Sequence, residues 1–255
     1  MLIRRVIPVL DVQRGRLVKG MQFGDLHDAG DPVAAGCLYG EMGADALIVL
    51  NIGSDPTYHD NFLDQVSRLA TCCQVPVIAG GGVKDEAGFG ALLDAGASAV
   101  SVASAAIRDP GLVERLAREF GSEQVLTAVD ARWAGTGWRV HSDGGRRITD
   151  LDAIEWCERL ESMGAGQIML VSMDRDGTGA GFDTDLVRYV GEKVQIPLIV
   201  AGGAGRLEDF VDACRAGASA VTAASLFHFR SLTIHEVKEA LCQEGFGVGE
   251  RASLS

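Results

Sequence analysis

An internal repeat spanning about half of the chain constrains the fold more than any other feature of this sequence. The hexapeptide AGASAV at residues 95–100 recurs identically at residues 216–221, an offset of 121 positions. The same offset relates Pro76 to Pro197, Gly81-Gly82 to Gly202-Gly203, Phe89 to Phe210, and Ser104 to Ser225. A shift of 119 positions relates Asp11 to Asp130. Two matching halves predict a symmetric fold built from one duplicated unit.

Each half contains four short apolar runs that alternate with amphipathic, helix-like stretches. The predicted strands are residues 5–11, 46–51, 75–80, 99–102, 125–130, 167–172, 197–201 and 220–223. They are too apolar to have one face in water, which indicates a parallel sheet covered by helices. With 255 residues, 47% of them hydrophobic, the chain is expected to fold as one α/β domain over residues 1–255. That domain is a single (β/α)8 TIM barrel with a twofold internal half-barrel repeat.

Long predicted loops follow the first, second, fifth and sixth strands, at residues 12–30, 52–58, 132–149 and 173–182. Because all of them follow the carboxyl ends of strands, they lie on the top face of the barrel, where active sites of this fold are found.

The composition excludes several classes of partner and location. A formal net charge of −12 argues against nucleic acid or an anionic membrane as partner, since both attract a basic surface. No apolar run has the length of a membrane span, and the first residues lead directly into a strand rather than a signal peptide, so a cytoplasmic protein is expected. No cofactor motif is present, and no cofactor or metal is expected.

The six cysteines show no C-x-x-C spacing and lie in helix-like segments. They are Cys37, Cys72, Cys73, Cys157, Cys214 and Cys242. In a reducing compartment this pattern predicts buried free thiols rather than disulfides or a metal site.

Two Gly-Gly turns, one in each half, are candidate phosphate sites. Gly81-Gly82 ends the third strand and Ser104 follows the fourth, while Gly202-Gly203 and Ser225 take the same places in the second half. Glycine allows the backbone to approach an anion closely, and a serine at the start of a short helix offers its N–H and hydroxyl groups. The duplicated arrangement predicts a ligand with two phosphates.

Asp11 and Asp130 end symmetry-related strands at the mouth of an apolar barrel. A carboxyl group in such a place is a natural general acid or base. Burial would raise its pKa and a nearby Lys19 would lower it, and the sequence leaves the balance open.

The loop that begins Asp174-Arg175-Asp176-Gly177 has a spacing faintly similar to that of a calcium loop. The final Glu is replaced by Asp185 and no helix precedes the loop, so phosphate support is favoured over metal binding. The five histidines have no metal-ligand spacing and are expected to be structural or solvated. His27, His59 and His141 fall in predicted loops, His228 follows Ser225, and His235 is on the last predicted helix.

Over essentially its whole length the chain resembles the cyclase subunit family of imidazole glycerol phosphate synthase, from histidine biosynthesis. The motifs that carry the resemblance are RVIPVLDV at residues 5–12, RLVKG at 16–20, AGDPV at 29–33, DRDGT at 174–178 and ASLFHF at 224–229. The resemblance implies a lyase-type cyclisation. Ammonia from a partner glutaminase and a phosphoribulosyl-formimino-aminoimidazole carboxamide ribonucleotide give imidazole glycerol phosphate and aminoimidazole carboxamide ribonucleotide.

By the family pattern, Asp11 and Asp130 form the acid–base pair and Lys19 lies in the first loop, over the substrate. Gly82 and Ser104 hold one phosphate of this bisphosphorylated substrate. The other is held by Asp176, Gly177, Gly203, Ala224 and Ser225, and Asn51 stands at a further substrate-binding position.

The chain departs from the family pattern at both ends of the barrel. Near the top, the family usually has Cys, Asp, Asn, Thr and Ser where this chain has Val9, Asn51, Ala103, Val171 and Ala201. At the bottom, where the family admits ammonia through a ring of charged residues, Arg5 is kept, but Ala46, Ala99 and Gln167 replace Glu, Lys and Glu. An Arg5 without its carboxylate partners must turn to solvent or find another acceptor, because an unpaired buried charge is costly. Weakened coupling to a glutaminase is therefore expected.

Three alternatives stay open at this stage. The first is a paralogue that acts on a different phosphorylated substrate without a standard glutaminase. The second is the sister isomerase of the same pathway, which shares the half-barrel repeat and both aspartates. The third is a non-catalytic barrel that binds a phosphorylated ligand.

Overall fold

Eight parallel strands close into a barrel in the computed structural model. The structure describes residues 3–21, 24–53, 59–228 and 231–249, without the side chains of residues 19–21, 24–26 and 60. The elements of the first half are β1 Ile3–Gln13, β2 Arg16–Met21, β3 Gly24–Gly30, α1 Pro32–Glu41, β4 Leu47–Asn51, α2 His59–Cys72, β5 Val77–Gly80, α3 Glu86–Asp94, β6 Ala99–Val102, α4 Ser104–Arg108 and α5 Gly111–Phe120.

The second half repeats this order after a short 3-10 turn at Ser122–Gln124. Its elements are β7 Val125–Trp133, β8 Trp138–Ser142, β9 Arg147–Asp152, α6 Ala153–Ser162, β10 Gln167–Ser172, α7 Thr184–Gly191, β11 Leu198–Ala201, α8 Leu207–Arg215, β12 Ala220–Ala223, α9 Ser225–His228, α10 Ile234–Gln243 and β13 Gly247–Val248.

The barrel strands follow one another in chain order and the last pairs with the first. The order is β1, β4, β5, β6, β7, β10, β11 and β12, and all eight neighbouring pairs are parallel. The expected TIM barrel is therefore confirmed, and each of the eight predicted strands corresponds to one barrel strand.

Two apolar layers hold the barrel together. One fills its interior with mostly aliphatic side chains, among them Ile7, Ile48, Ile78, Leu126 and Ile199. The other lies between the strands and the helices and contains the large aromatic side chains, including the fully buried Phe89 and its repeat partner Phe210. Among the helices in the described part of the chain, none combines the length and apolar character that crossing a bilayer requires.

The prediction of open loops after the first and fifth strands is wrong, because both segments contain antiparallel hairpins. β2 pairs with β1 and β3, and β8 pairs with β7 and β9. A long exposed segment must satisfy its backbone N–H and C=O groups, and pairing with a continued barrel strand does so. Two histidines expected in loops consequently lie on strands, His27 on β3 and His141 on β8.

The prediction that all six cysteines are free thiols is also wrong, because a disulfide joins Cys37 on α1 to Cys72 at the end of α2. Their Cα atoms are 5.7 Å apart although 35 positions separate them. The two helices approach closely because Gly36 of α1 packs directly on Leu69 of α2, where a Cβ atom would overlap the leucine. The free cysteines are the buried Cys73, Cys157 and Cys214 and the exposed Cys242.

Candidate active site

The strand register places Asp11 and Asp130 at one level on opposite sides of the barrel. From Asp11, paired residues lead across β4, β5 and β6 to Leu126 on β7, four positions before Asp130. From Asp130, the pairs lead to Ala201, the last residue of β11. Continuing the β11–β12 register by one position reaches Thr222, which pairs with Ile7, four positions before Asp11. This total shift of eight is the shear of a TIM barrel, in which one residue per strand compensates for the strand tilt.

The same level passes through one residue on, or just after, each of the other six strands. We call the set of eight the site ring: Asp11, Asn51, Gly82, Ser104, Asp130, Ser172, Gly203 and Ser225. Seven of these positions were predicted from the sequence, and they meet at the carboxyl edge of the sheet. The sequence did not single out Ser172, which is buried and whose hydroxyl donates to Asp183 at 3.4 Å. Its neighbour Val171 packs on the barrel interior, so the Ser172 side chain lies on the outer face of β10, towards the helices.

Asp130 has the electrostatic character expected of a group that exchanges protons near neutral pH. Burial at the mouth of the apolar barrel raises its pKa to about 7, and the negative charge of Asp176 adds to the effect. Because the charge of Asp176 acts on Asp130, the loop after β10 lies near that aspartate. Lys19 lies on β2, but its side chain is outside the described residues.

The glycine turn after β11 is packed against the loop after β10. The Gly181 N–H donates to the Gly203 carbonyl at 2.8 Å. Gly203 has a φ of +114°, and a Cβ atom there would overlap the Gly181 carbonyl. Ser225 begins α9 directly after Ala224, which is almost fully buried next to the barrel interior. Gly177 has a φ of +70° in the neighbouring loop. The positions predicted to hold this phosphate therefore lie on adjoining segments.

The corresponding turn in the first half has a more open environment. Gly82 has a φ of +75°, but no atom lies within 4 Å of where its Cβ would stand. The hydroxyl of Ser104 accepts a hydrogen bond from the backbone N–H of Asp143 at 2.8 Å, so the turn between β8 and β9 packs against this candidate phosphate site. The side-chain oxygen of Asn51 accepts the Gly53 N–H at 3.0 Å. The two candidate phosphate sites therefore lie at the same level of the barrel, but only the Gly203 turn is tightly packed against a neighbouring loop.

His141 is a site residue whose position the sequence did not reveal. It stands directly opposite Asp130 in the β7–β8 pair, so both side chains lie on the same face of that pair. The ring is buried, and its Nδ1 lies 3.0 Å from the Gly145 carbonyl oxygen. Its Nε2 has no hydrogen-bond partner within the described residues. The sequence did contain a signal for this strand, because the apolar Trp138 and Val140 alternate with the polar Arg139 and His141.

The bottom of the barrel contains a cavity of about 320 Å³, far from the site ring. It is lined by Ile3, Arg5, Glu123, Gly166, Gln167, Pro197 and Ser219. Arg5 donates to the side-chain carbonyl of Gln167 at 2.9 Å. Burial lowers the pKa of the Arg5 guanidinium, and the Asp45 carboxylate partly opposes that effect. Arg5 has therefore found another acceptor, as the sequence allowed, and that acceptor is a neutral amide.

Comparisons with known proteins show what this chain is similar to. Residues 5–233 match the model of the family described as "Histidine biosynthesis protein". The chain is 48% identical over 246 residues to the "Imidazole glycerol phosphate synthase subunit HisF" of Pyrobaculum aerophilum, covering 96% of this chain and 97% of the relative. It is also 48% identical over 249 residues to the protein of the same name from Gluconacetobacter diazotrophicus, covering 97% and 96% respectively. The whole site ring lies within the matched residues 5–233.

Proposed function

Because this chain belongs to the histidine biosynthesis family, and within it to the HisF subunits of imidazole glycerol phosphate synthase, we propose that it catalyses the cyclase reaction of that enzyme. In this reaction, a lyase step of histidine biosynthesis, ammonia and the bisphosphorylated formimino ribonucleotide give imidazole glycerol phosphate, aminoimidazole carboxamide ribonucleotide and water. The single observation that carries the proposal is the site ring, in which two aspartates lie at one level on opposite sides of the barrel, between two glycine turns.

The shape of the ring supports a substrate with a phosphate at each end. Gly82 and Ser104 follow the strands β5 and β6, whereas Gly203 and Ser225 follow β11 and β12, half-way round the barrel. A molecule that reaches from one turn to the other passes between Asp11 and Asp130. Anchoring both ends would hold the reacting centre between the two carboxyl groups, which is a large part of the advantage that an enzyme gives a two-reactant step.

The two aspartates can divide the proton transfers between them. When the lone pair of ammonia forms a bond to a carbonyl carbon, the carbonyl oxygen must gain two protons before it leaves as water, and the nitrogen must lose protons. We assign the initial acid role to Asp130, because a pKa of about 7 lets its carboxyl group keep a proton at neutral pH. Asp11, on the opposite side of the ring, takes the role of the base.

We further propose that any glutaminase partner acts through the bottom cavity, and that its coupling to this chain is weak. The relatives are named as subunits, which supports assembly with another chain. In place of a ring of charges, this chain has Arg5 hydrogen-bonded to the Gln167 side-chain amide at 2.9 Å. Ala46 and Ala99 are buried in the barrel interior. Free ammonia is therefore the expected nitrogen source in the assay below.

The test is steady-state turnover of the bisphosphorylated ribonucleotide with an ammonium salt. Asp11→Asn and Asp130→Asn should each lower kcat by about 100-fold or more while the fold stays intact, the usual scale for a general acid or base. Turnover within about threefold of the parent in either variant would make that aspartate structural.

A second candidate function is catalysis by the same ring on a different phosphorylated substrate. The observation that favours it is the apolar edge formed by the partly buried Val171 and Ala201, where the family usually presents hydroxyl groups. This paralogue role would be favoured if the parent protein binds inorganic phosphate but does not turn over the standard substrate at high ammonium concentration.

A further inference from the structure

Three cysteine sulfurs meet between α1 and α2, on the outside of the barrel and away from the site ring. The sulfur atoms of Cys37, Cys72 and Cys73 all lie within 4.8 Å of one another. Cys37 and Cys72 form the disulfide, and the Sγ atom of the free Cys73 is 3.7 Å from that of Cys72. No other group of His, Cys, Asp or Glu side chains in the described ranges converges in this way.

Two glycines of α1 explain why these sulfurs can meet. Gly36 packs on Leu69 of α2, and Gly40 faces the residues just after that helix, since a Cβ atom on Gly40 would stand 3.7 Å from the Cys73 Cα atom. They flank Cys37 on neighbouring turns of the helix. The backbone of α1 is thereby held against the point where Cys72 ends α2 and Cys73 leads towards β5. The convergence is therefore fixed by helix packing, and does not depend on the disulfide alone.

The spacing of the Cys72 and Cys73 sulfur atoms suits a thiolate-bound metal ion. Zinc–sulfur bonds are about 2.3 Å long, so two sulfurs of a tetrahedral site lie about 3.8 Å apart. The 3.7 Å between Cys72 and Cys73 matches this value. Opening the disulfide would supply Cys37 as the third sulfur. Because Cys72 is exposed, its side of the cluster is open to a water molecule as the fourth ligand.

The placement of Cys73 also separates metal binding from ordinary thiol reactivity. Cys73 is buried beside the bonded pair, so an external thiol or disulfide has little access to its sulfur. A soft cation can displace the proton of such a thiol, since metal ions bind cysteine as the thiolate. A buried third cysteine beside a bonded pair is therefore better suited to ligation than to disulfide exchange.

We propose that reduced Cys37, Cys72 and Cys73 together bind one thiophilic divalent cation of the Zn²⁺ or Cd²⁺ class, and that the disulfide is the oxidised, metal-free form of this site. Formation of the disulfide from the two metal-bound thiolates of Cys37 and Cys72 releases two electrons. Hydrogen peroxide takes up these electrons with two protons from the solvent and is reduced to two molecules of water. Cys73 takes a third proton from the solvent as its metal–sulfur bond breaks. The site would therefore release its cation on oxidation.

Titration of the reduced, full-length protein with Cd²⁺ tests the proposal. The protein is reduced with a phosphine and kept anaerobic, and binding is followed by the ultraviolet charge-transfer absorption of cadmium thiolates. We expect one Cd²⁺ per chain, and loss of that absorption in Cys37→Ser and Cys72→Ser. Cys73→Ala should weaken binding by at least about tenfold, because one of three thiolate ligands is lost. Circular dichroism checks that each variant is folded.

Two controls make the outcome decisive. Cys242→Ser, which removes the exposed thiol of α10, should bind Cd²⁺ like the parent, and the peroxide-oxidised parent should bind none. Parent-like binding by Cys73→Ala would reduce the site to a two-thiol contact and overturn the three-cysteine proposal. Cadmium absorption that survives peroxide oxidation, or that disappears in Cys242→Ser, would also overturn it. None of these readouts depends on cyclase turnover, so the result is independent of the proposed function.

Discussion

Replacing Asp130 with asparagine should make the folded protein more stable while it removes activity, and the gain should depend on pH. The carboxyl group has an ordinary pKa of 3.8 and a folded-state pKa of about 7. As the pH rises from 3.8 to about 7, the unfolded chain releases this proton readily and the folded chain does so only against burial. The folded state therefore loses stability over that interval, and the loss is complete above it.

The size of the effect follows from the two pKa values. Each unit of difference corresponds to about 1.36 kcal/mol, so the ionised Asp130 destabilises the fold by about 4 kcal/mol at about pH 8.5. At about pH 5.5 the same linkage gives about 2 kcal/mol. The asparagine side chain of the Asp130→Asn variant has a similar shape and no charge. The variant should therefore gain about 2 kcal/mol more in unfolding free energy at the higher pH than at the lower.

Urea unfolding of the parent and the variant at both pH values measures this difference. Comparing the two pH values cancels any effect of the amide that does not depend on pH. Asp150→Asn, at an exposed position on β9, is a matched control for removing one negative charge from a chain of net charge −12. An Asp130→Asn gain that is absent at the higher pH, or equal at both, would refute the buried-carboxyl argument and the acid role built on it.

Three further predictions concern the rest of the barrel. Crystals soaked in inorganic phosphate should contain two ions, one at the Gly203 turn and one at the Gly82 turn; density at the Gly203 turn alone would leave the other turn a relic of duplication. The Gly203→Ala variant should unfold at a clearly lower urea concentration than the parent and have a higher KM, because its methyl group would overlap the Gly181 carbonyl. The Gly82→Ala variant has free space for the methyl group but a positive φ, so its free energy of unfolding should fall by only about 1–2 kcal/mol. Equal losses of unfolding free energy in the two variants would contradict the packing argument. The Gln167→Glu variant gives Arg5 a carboxylate partner, so it should have faster glutamine-driven turnover with a glutaminase present and unchanged ammonium-driven turnover. If the unmodified chain forms a stable one-to-one complex with the glutaminase and turns over efficiently with glutamine, the charged residues at the bottom of the barrel are dispensable.

The sequence predicted the barrel well because its strongest signals are local and repeated. Strands β6, β10 and β12 have the bounds that their apolar runs indicated, and the offset of 121 residues paired the two glycine turns correctly. The hairpins were missed because β2 and β3 are short and carry charged residues. Their strand character comes from pairing with β1 rather than from their own composition.

The remaining gaps are contacts between segments far apart in the chain. The Cys37–Cys72 disulfide depends on how closely Gly36 lets two helices approach, and sequence spacing does not report that distance. The position of His141 opposite Asp130 depends on the register of a hairpin that was not predicted. In both cases the sequence shows the residue but does not show which distant residue it contacts.

The pairing around the two aspartates has a mechanical consequence. Asp11 is flanked by Val18 of its hairpin on one side and Leu50 of the next barrel strand on the other, and Asp130 is flanked in the same way by His141 and Val171. Each aspartate is thus clamped at a junction of three strands. If either hairpin opens to admit a substrate, we therefore expect the movement to lie beyond these paired residues. Both carboxyl groups would then keep their places.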